Sequence, residues 1–418
     1  MAVKRYVLAG TGGRGVNMFA KPLVEDEFDG KARLVGLFDR NASRMRAANE
    51  MLGTDLPTYT DYRSMLQDLD PDGVIIATQD SAHCQFLIET LQAGKRSICE
   101  KPLCTTAEQC RRIAAAAAKS DAQGLVTHNA RYGAASTAIK QILASGRLGR
   151  ILTMEYHEML DRRHGADYFR RWHRRKANSG GLLIHKASHH FDLLNWFAES
   201  LPDKLVAVGD LAFYGKNNAF RHTRCRGCPH AGKCDLYVDM FANERSRKLY
   251  LETEADDGYL RDACVWDDQI DIEDRASVIY NYQNGIHVTY TLQAFASYEG
   301  ERIIIEGTAG RLELSAAKDT RWAAGDVTVH GMEELVGERL RVFQPGKGIE
   351  DVELKRAQGS HGGSDPLLRH EFFARDASQP PTDRMASLDQ AIQAVLIGAA
   401  ANQSIATGQM VDVQQLLK

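Results

Sequence analysis

The run Gly10-Thr11-Gly12-Gly13-Arg14-Gly15 constrains this chain more than any other stretch. It directly follows a short apolar run, Tyr6–Ala9, and leads into a helical pattern. Glycines at this spacing are a weak signal in a chain with 35 of them. Their place at the head of a β/α alternation strengthens it. Further apolar runs of strand length follow at Leu34–Phe38, Gly73–Ala77, Ser97–Cys99 and Leu125–Thr127. Amphipathic or Ala-rich stretches such as Asp80–Ala93 and Thr106–Lys119 separate them. This alternation predicts a doubly wound parallel sheet, an α/β Rossmann domain over residues 1–127.

In such a turn Gly10 permits the tight bend, Gly12 lets the backbone approach a pyrophosphate, and Gly15 lets helix and strand pack closely. Gly13 and Arg14 complete the turn, where free N–H groups and the helix dipole favour phosphate. Asp39 ends the second run, the position from which an acidic side chain binds the ribose hydroxyls of NAD. Arg40 follows and would instead face the 2′-phosphate of NADP. NAD is the favoured cofactor. The bland alternative is a Gly-rich turn with Asp39 as a helix cap.

Beyond residue 127 the pattern changes. Ala134–Ser145 reads as a helix, residues 150–158 as a strand, and Gly180-Gly181 precedes a helix running to about Phe197. Period-two runs at Ala276–Tyr282, Ile286–Gln293, Arg302–Glu306 and Arg311–Leu314, with a turn at Gln283-Asn284-Gly285, predict an antiparallel or mixed sheet. Residues 316–365 are polar and Gly-containing and read as long loops. Leu388–Thr407 is Ala-rich and helical, with Gly408 as its C-cap. The expectation is an α+β second domain over 128–418, with the 388–407 helix packing back on the first.

With 44% hydrophobic and 26% charged residues the chain can build a substantial core. A net charge of −3 gives no footing for nucleic-acid binding. The N-terminal apolar run is too short for a signal peptide, and no stretch approaches the roughly 20 apolar residues of a membrane span. The expected compartment is the cytoplasm.

Several motifs recur in a telling order: Val74-Ile75-Ile76-Ala77-Thr78, then Cys99-Glu100-Lys101-Pro102-Leu103, then Asn129-Ala130-Arg131-Tyr132, then Gly180 through Asp192 with His185, Lys186, His189 and His190. Together they resemble the Gfo/Idh/MocA family, the glucose–fructose oxidoreductase and inositol-dehydrogenase-like enzymes. The resemblance runs nearly the whole chain, to Ile397–Ile405, and Glu-Lys-Pro after a Rossmann strand is its most specific element. It implies a second domain with an open, mostly antiparallel sheet. It implies NAD(P)-dependent oxidation or reduction of sugars, polyols or their derivatives, and a homo-oligomer, dimer or tetramer. It makes Lys101 the catalytic lysine and His189 the catalytic histidine. The implied cofactor contacts include Thr78, Gln79, Glu100, Lys101 and Asn129. The family often carries an Asp four residues before the histidine; here that position is His185, followed by Lys186, so either His185 or Lys186 serves instead or the proton path differs.

Oxidising a carbinol with NAD requires proton removal as hydride leaves, and a group titrating near neutrality does this best. The expectation is that His189 exchanges the proton while Lys101 binds the reacting oxygen; the reverse assignment stays open. His83 begins the helix after the third strand and either borders the nicotinamide ribose or lies at the surface. The basic stretch 162–176 is either a solvated face or, through Arg171, Trp172 and His173, a substrate border. Trp packs on sugar faces, and Arg grips carboxylate or sulfate. His361 lies in a Gly-rich segment resembling a pocket-closing loop and is a candidate substrate contact.

Cys225, Cys228 and Cys234 cluster, with Cys264 as a fourth candidate ligand. Four thiolates suit a structural zinc; disulfide or redox pairing and unliganded thiols are the alternatives. The leading functional reading is a sugar or polyol dehydrogenase or reductase. NAD-dependent glycoside cleavage, by transient oxidation and elimination, and a non-catalytic NAD-binding regulator are the competitors.

Overall fold

Strands covered by helices on both faces read as unbroken apolar runs, and the first sheet is built that way. The computed structural model describes residues 2–28, 30–318, 336–355, 360–375 and 380–418. Strands β1 (Lys4–Ala9), β2 (Ala32–Phe38), β3 (Thr58–Tyr59), β4 (Gly73–Ile76), β5 (Arg96–Cys99) and β6 (Gly124–Val126) pair in parallel in the order β3-β2-β1-β4-β5-β6. Val7, Leu8, Val74, Ile75 and Ile76 have no solvent exposure. The strand order reverses between β1 and β4, and ligands of such sheets bind in that crevice. The glycine turn lies there. Gly10 has φ +98°, and a Cβ on it would stand 2.4 Å from the Ala77 carbonyl oxygen. A Cβ on Gly15 would stand 2.2 Å from the Gly10 oxygen. Neither position tolerates a side chain.

The second sheet alternates buried and exposed residues. It comprises β7 (Ile151–Asp161), β8 (Pro202–Asp210), β9 (Arg275–Tyr282), β10 (His287–Ala296), β11 (Glu299–Gly307), β12 (Gly310–Lys318), β13 (Gly337–Gln344) and β14 (Gly348–Val352). With β16 (Val411–Asp412) its order is β14-β13-β12-β11-β7-β10-β9-β8-β16. Among the described residues only the β7–β10 pair of this sheet is parallel. The expected pairing of a doubly wound parallel sheet with a mostly antiparallel one is borne out. The reading of 316–365 as loops is corrected: β13 and β14 form a hairpin there. Its period-two signal is confined to Leu340 and Val342, each 1% exposed, between arginines.

The helix Leu388–Thr407 opens on a capping box at Ser387 and Gln390. It packs on β8, on the helix Ser188–Ala198 and on the helix Ala107–Ala117. The strand before it, β15 (Ala386–Ser387), joins the first sheet antiparallel to β6. The expected single helix up to Phe197 is two, Leu182–His185 and Ser188–Ala198, bent at Lys186-Ala187. No described helix is long and apolar enough to cross a membrane.

Candidate active site

A cavity of about 1500 Å³ runs from the glycine turn to the junction of the two sheets. At its nucleotide end Asp39 is 8% exposed, and its Oδ2 accepts from the Thr11 N–H and hydroxyl, both at 2.9 Å. Arg44 lies between two carboxylates, 3.6 Å from Asp39 and 3.0 Å from Asp257. Arg40 points outward, its side chain 69% exposed, 3.7 Å from Asp257. Arg14 donates to Glu100 at 2.8 Å and to Asp365 at 3.1 Å. Asn129 donates to the other oxygen of Asp365 at 2.7 Å. Gly10, Gly12, Gly13, Thr78 and Gln79 line the same cavity. The N–H-rich turn and the acid at the end of β2 fit a dinucleotide.

His83 also reaches the cavity, yet its ring nitrogens face the carbonyls of Pro102 at 2.8 Å and Thr78 at 3.1 Å. It braces two loops of the nucleotide site against each other.

Lys101 follows β5, where the chain leaves the sheet at the edge of the crevice. Its Nζ donates to the His185 carbonyl at 3.1 Å. Burial lowers its pKa to about 8, against the pull of Asp80 and Glu100. His185 Nδ1 lies 2.6 Å from Asp80 Oδ2 in a buried pair. Burial pushes the Asp80 carboxyl up, and burial with the Lys101 charge pushes His185 down. His189 is held well below the usual histidine range by burial, then by Lys101 and His128. Its Nδ1 is buried with no hydrogen-bond partner among the described residues. Lys186 pairs with Glu158 at 2.9 Å; burial works against its charge, but Glu158, Tyr168 and Glu299 together raise its pKa above the ordinary lysine value.

Beneath these groups Arg131 grips Asp192 with two 2.7 Å bonds and reaches Gln390 at 3.1 Å. This buried pair fixes the helix that carries His189. Above them, Trp172 stacks on His173 at 3.6 Å between ring centroids, and His173 meets His185 at 4.1 Å. Arg171 is tethered to Asp167, 3.2 Å away. The cavity thus brings together Lys101, Arg171, Trp172, His173, His185, Lys186 and His189. The side chain of His361 lies outside the described residues.

Asp80, Glu158, Asp257 and Asp365 were missed as site residues. Asp80 directly follows Thr78-Gln79 at the start of the helix Asp80–Gln92, so its placement is a signal the sequence offers. The other three come from distant segments and announce themselves only by their partners.

The four cysteines read as candidate zinc ligands come together in the structure. Cys225, Cys228, Cys234 and Cys264 are free thiols around one small cavity. Among the described residues no three His, Cys, Asp or Glu side chains are grouped to hold a metal ion. Apolar neighbours such as Val265 and Trp266 line that cavity, burial raises the Cys225 thiol's pKa, and the Cys228 sulfur accepts from the His230 N–H at 3.4 Å.

A glycine turn at the strand-order reversal, opening onto a buried lysine and histidine, defines a dinucleotide-dependent oxidoreductase. The profile described as "Oxidoreductase family, NAD-binding Rossmann fold" matches residues 4–128, and "Oxidoreductase family, C-terminal alpha/beta domain" matches residues 140–413. The chain belongs to this family, the Gfo/Idh/MocA oxidoreductases. It is 30% identical to YteT of Bacillus subtilis (strain 168), named as an oxidoreductase, over 100% of this chain and 99% of that protein. Inositol 2-dehydrogenase of Klebsiella pneumoniae subsp. pneumoniae is 32% identical over 28% of this chain and 35% of that protein. Two solved structures share the fold. Levoglucosan dehydrogenase in complex with NADH and L-sorbose aligns with a TM-score of 0.69 at 19% identity, over 99% of this chain and 100% of that one. An oxidoreductase from Agrobacterium radiobacter in complex with NAD+, L-tartaric acid and magnesium aligns at 0.67 and 18%, over 99% of each.

Proposed function

We propose that the protein moves hydride between NAD, in preference to NADP, and a secondary alcohol of a sugar, a polyol or a sugar derivative. The observation that carries this reading is the meeting of Lys101 and His189 on one cavity that begins at the glycine turn. Bound NAD supplies the hydride acceptor. The preference over NADP rests on Asp39 and Asp257, which together satisfy Arg44 and leave a carboxylate-rich rim where a 2′-phosphate would sit.

The tuning of the two basic groups favours the reverse of the first assignment. An acid–base catalyst works best with a pKa near the working pH. Lys101, at about 8, meets that condition, and His189, pushed far down, does not. Lys101 therefore takes the alcohol proton, and the neutral His189 ring orients the same oxygen. Lys186, fixed as a cation by Glu158, steadies negative charge nearby.

On the substrate side, the Trp172 face suits a sugar ring. Burial and the neighbouring Arg261 both press on the Arg171 charge, a strain that a carboxylate or sulfate on the substrate would relieve. Uronates and sulfated sugars are the anionic candidates. Unchanged binding of both classes after Arg171→Ala would remove that assignment.

A second reading, redox-neutral glycoside cleavage, is favoured by the Asp80–His185 pair, which offers a second proton-handling group beside Lys101. The test is to incubate the protein with a panel of sugars, uronates and chromogenic glycosides while following the absorbance of NADH. Stoichiometric NAD reduction supports the dehydrogenase. Aglycone release without net NAD consumption supports cleavage. Lys101→Ala and His189→Ala proteins that both keep near-wild-type rates would reject the site.

A further inference from the structure

Between β8 and β9 the chain makes a long excursion, residues 211–274, and part of it crosses to the first sheet. The crossing stretch contains the short helices Glu244–Ser246, Arg247–Leu251 and Glu254–Asp257. Its anchors fall on the turn and helix start that follow β2, beside Asp39. The Asn41 side chain donates to the Thr253 carbonyl at 2.8 Å, and the Ser43 N–H donates to Asp256 at 2.8 Å. Arg44 donates to the Leu249 carbonyl at 2.9 Å and to Asp257 at 3.0 Å. Leu249 is fully buried in the core of the first sheet, among Leu8, Val16, Phe19 and Met45. Arg224 ties the stretch to its own base, 2.8 Å from Glu254 and 2.7 Å from Asp262.

This stretch also reaches the glycine turn. The Gly13 N–H donates to the Tyr250 hydroxyl at 2.7 Å, so the hydroxyl continues the row of donors the turn presents. Its own proton finds no acceptor among the described residues. The Tyr250 ring lies between two guanidiniums, Arg44 at 5.6 Å and Arg261 at 5.0 Å from its centroid. Arg261 lines the cavity; its Nε is buried without a hydrogen bond, and no carboxylate lies within ion-pair distance of it among the described residues. A donor hydroxyl on the phosphate-binding turn and a guanidinium over the same tyrosine ring, attracted by Asp167 but outside ion-pair distance of it, are complementary to phosphate oxygen.

We propose that residues 244–261 are a built-in strap across the dinucleotide, in which Tyr250 and Arg261 bind its pyrophosphate and hold the cofactor on the protein between turnovers. This rests on the cofactor reading above and goes beyond it, because the glycine turn alone leaves the pyrophosphate open to solvent on the strap's side. Release then requires the strap's anchors on Asn41, Ser43 and Arg44 to part.

The experiment follows NADH fluorescence on the full-length protein, chasing bound NADH with excess ADP-ribose, and titrates NADH, ADP-ribose and adenosine separately. Tyr250→Phe keeps the ring and removes only the hydroxyl; Arg261→Gln removes the guanidinium, its charge and its contact with the Tyr250 ring. Each is expected to speed NADH release about tenfold or more, the scale of one hydrogen bond to a charged group. ADP-ribose affinity should fall in parallel, with adenosine affinity within about twofold of wild type. Variants with unchanged NADH release and ADP-ribose affinity would overturn the strap while leaving the cofactor site intact. Equal losses for adenosine would overturn the pyrophosphate assignment. A wild-type protein that binds no dinucleotide would overturn the cofactor reading and the strap together.

Discussion

Lys101 shows how one residue's setting decides its chemistry. An ammonium in a buried site is disfavoured against the free amine, and nearby carboxylates restore part of its charge. Lys101 ends at about 8. The neutral, proton-accepting form grows as pH rises through that value, so kcat/KM for alcohol oxidation should climb to a plateau with a midpoint near 8, and Lys101→Arg should lose the inflection. Asp80 acts on Lys101 from a distance and is a positioning residue. Removing its carboxylate takes away an attraction that raises the Lys101 pKa, so Asp80→Asn should move the midpoint acidward. A variant that merely slowed turnover with the midpoint unmoved would reject that role. Lys101 and His189 were legible in the sequence because each sits in a motif with local context. Asp80 was readable only as a helix-start acid, since its partner His185 stands 105 positions away.

At the scale of elements, a chain of contacts links the end of β11 to the aromatic wall of the cavity. Glu299 accepts from the Asp161 N–H at 2.8 Å and pairs with His164 at 2.7 Å, and His164 meets the Tyr168 hydroxyl at 3.1 Å. Burial is the largest influence and would raise the Glu299 pKa, but the bond and charge of His164, the Lys186 charge and the Asp161 N–H together bring it down to about 2. An acid whose folded pKa lies below its unfolded one adds stability above the unfolded value and loses it as pH falls toward the folded one. Between pH of about 4.5 and 2 this group should cost the wild type about 3 kcal/mol. Chemical unfolding across that range should show Glu299→Gln lacking this share of the acid loss; parallel curves would disprove it. The strands β1, β2, β4, β5 and β6 of the first sheet were legible because burial leaves apolar runs, whereas the two-residue strands β3 and β15 carry no such run. The β13–β14 hairpin was not, because it lies at a sheet edge where only Leu340 and Val342 face inward and charge covers the rest.

For the whole molecule, the outward face of the second sheet carries apolar side chains on neighbouring strands, Val208 at 68% and Ile279 at 56% exposure. Clustered exposed apolar residues on a sheet face mark a contact surface, and we expect a homo-oligomer to form there. Light scattering should report a smaller species for Val208→Glu/Ile279→Lys than for the wild type; an unchanged mass would place the contact elsewhere. The division of labour between the sheets was legible from the switch in periodicity after residue 127. How the chain returns was less so, because β15 adds only two residues to the first sheet. That return has a consequence for how such a protein could be taken apart. The polypeptide enters the first sheet, builds the second, and comes back to stitch the first again, with Arg111 donating to the Leu416 carbonyl at 2.6 Å near the far terminus. A nick in the connection after β6 would therefore release neither half, and the two layers could not be traded as independent cassettes without leaving a strand behind.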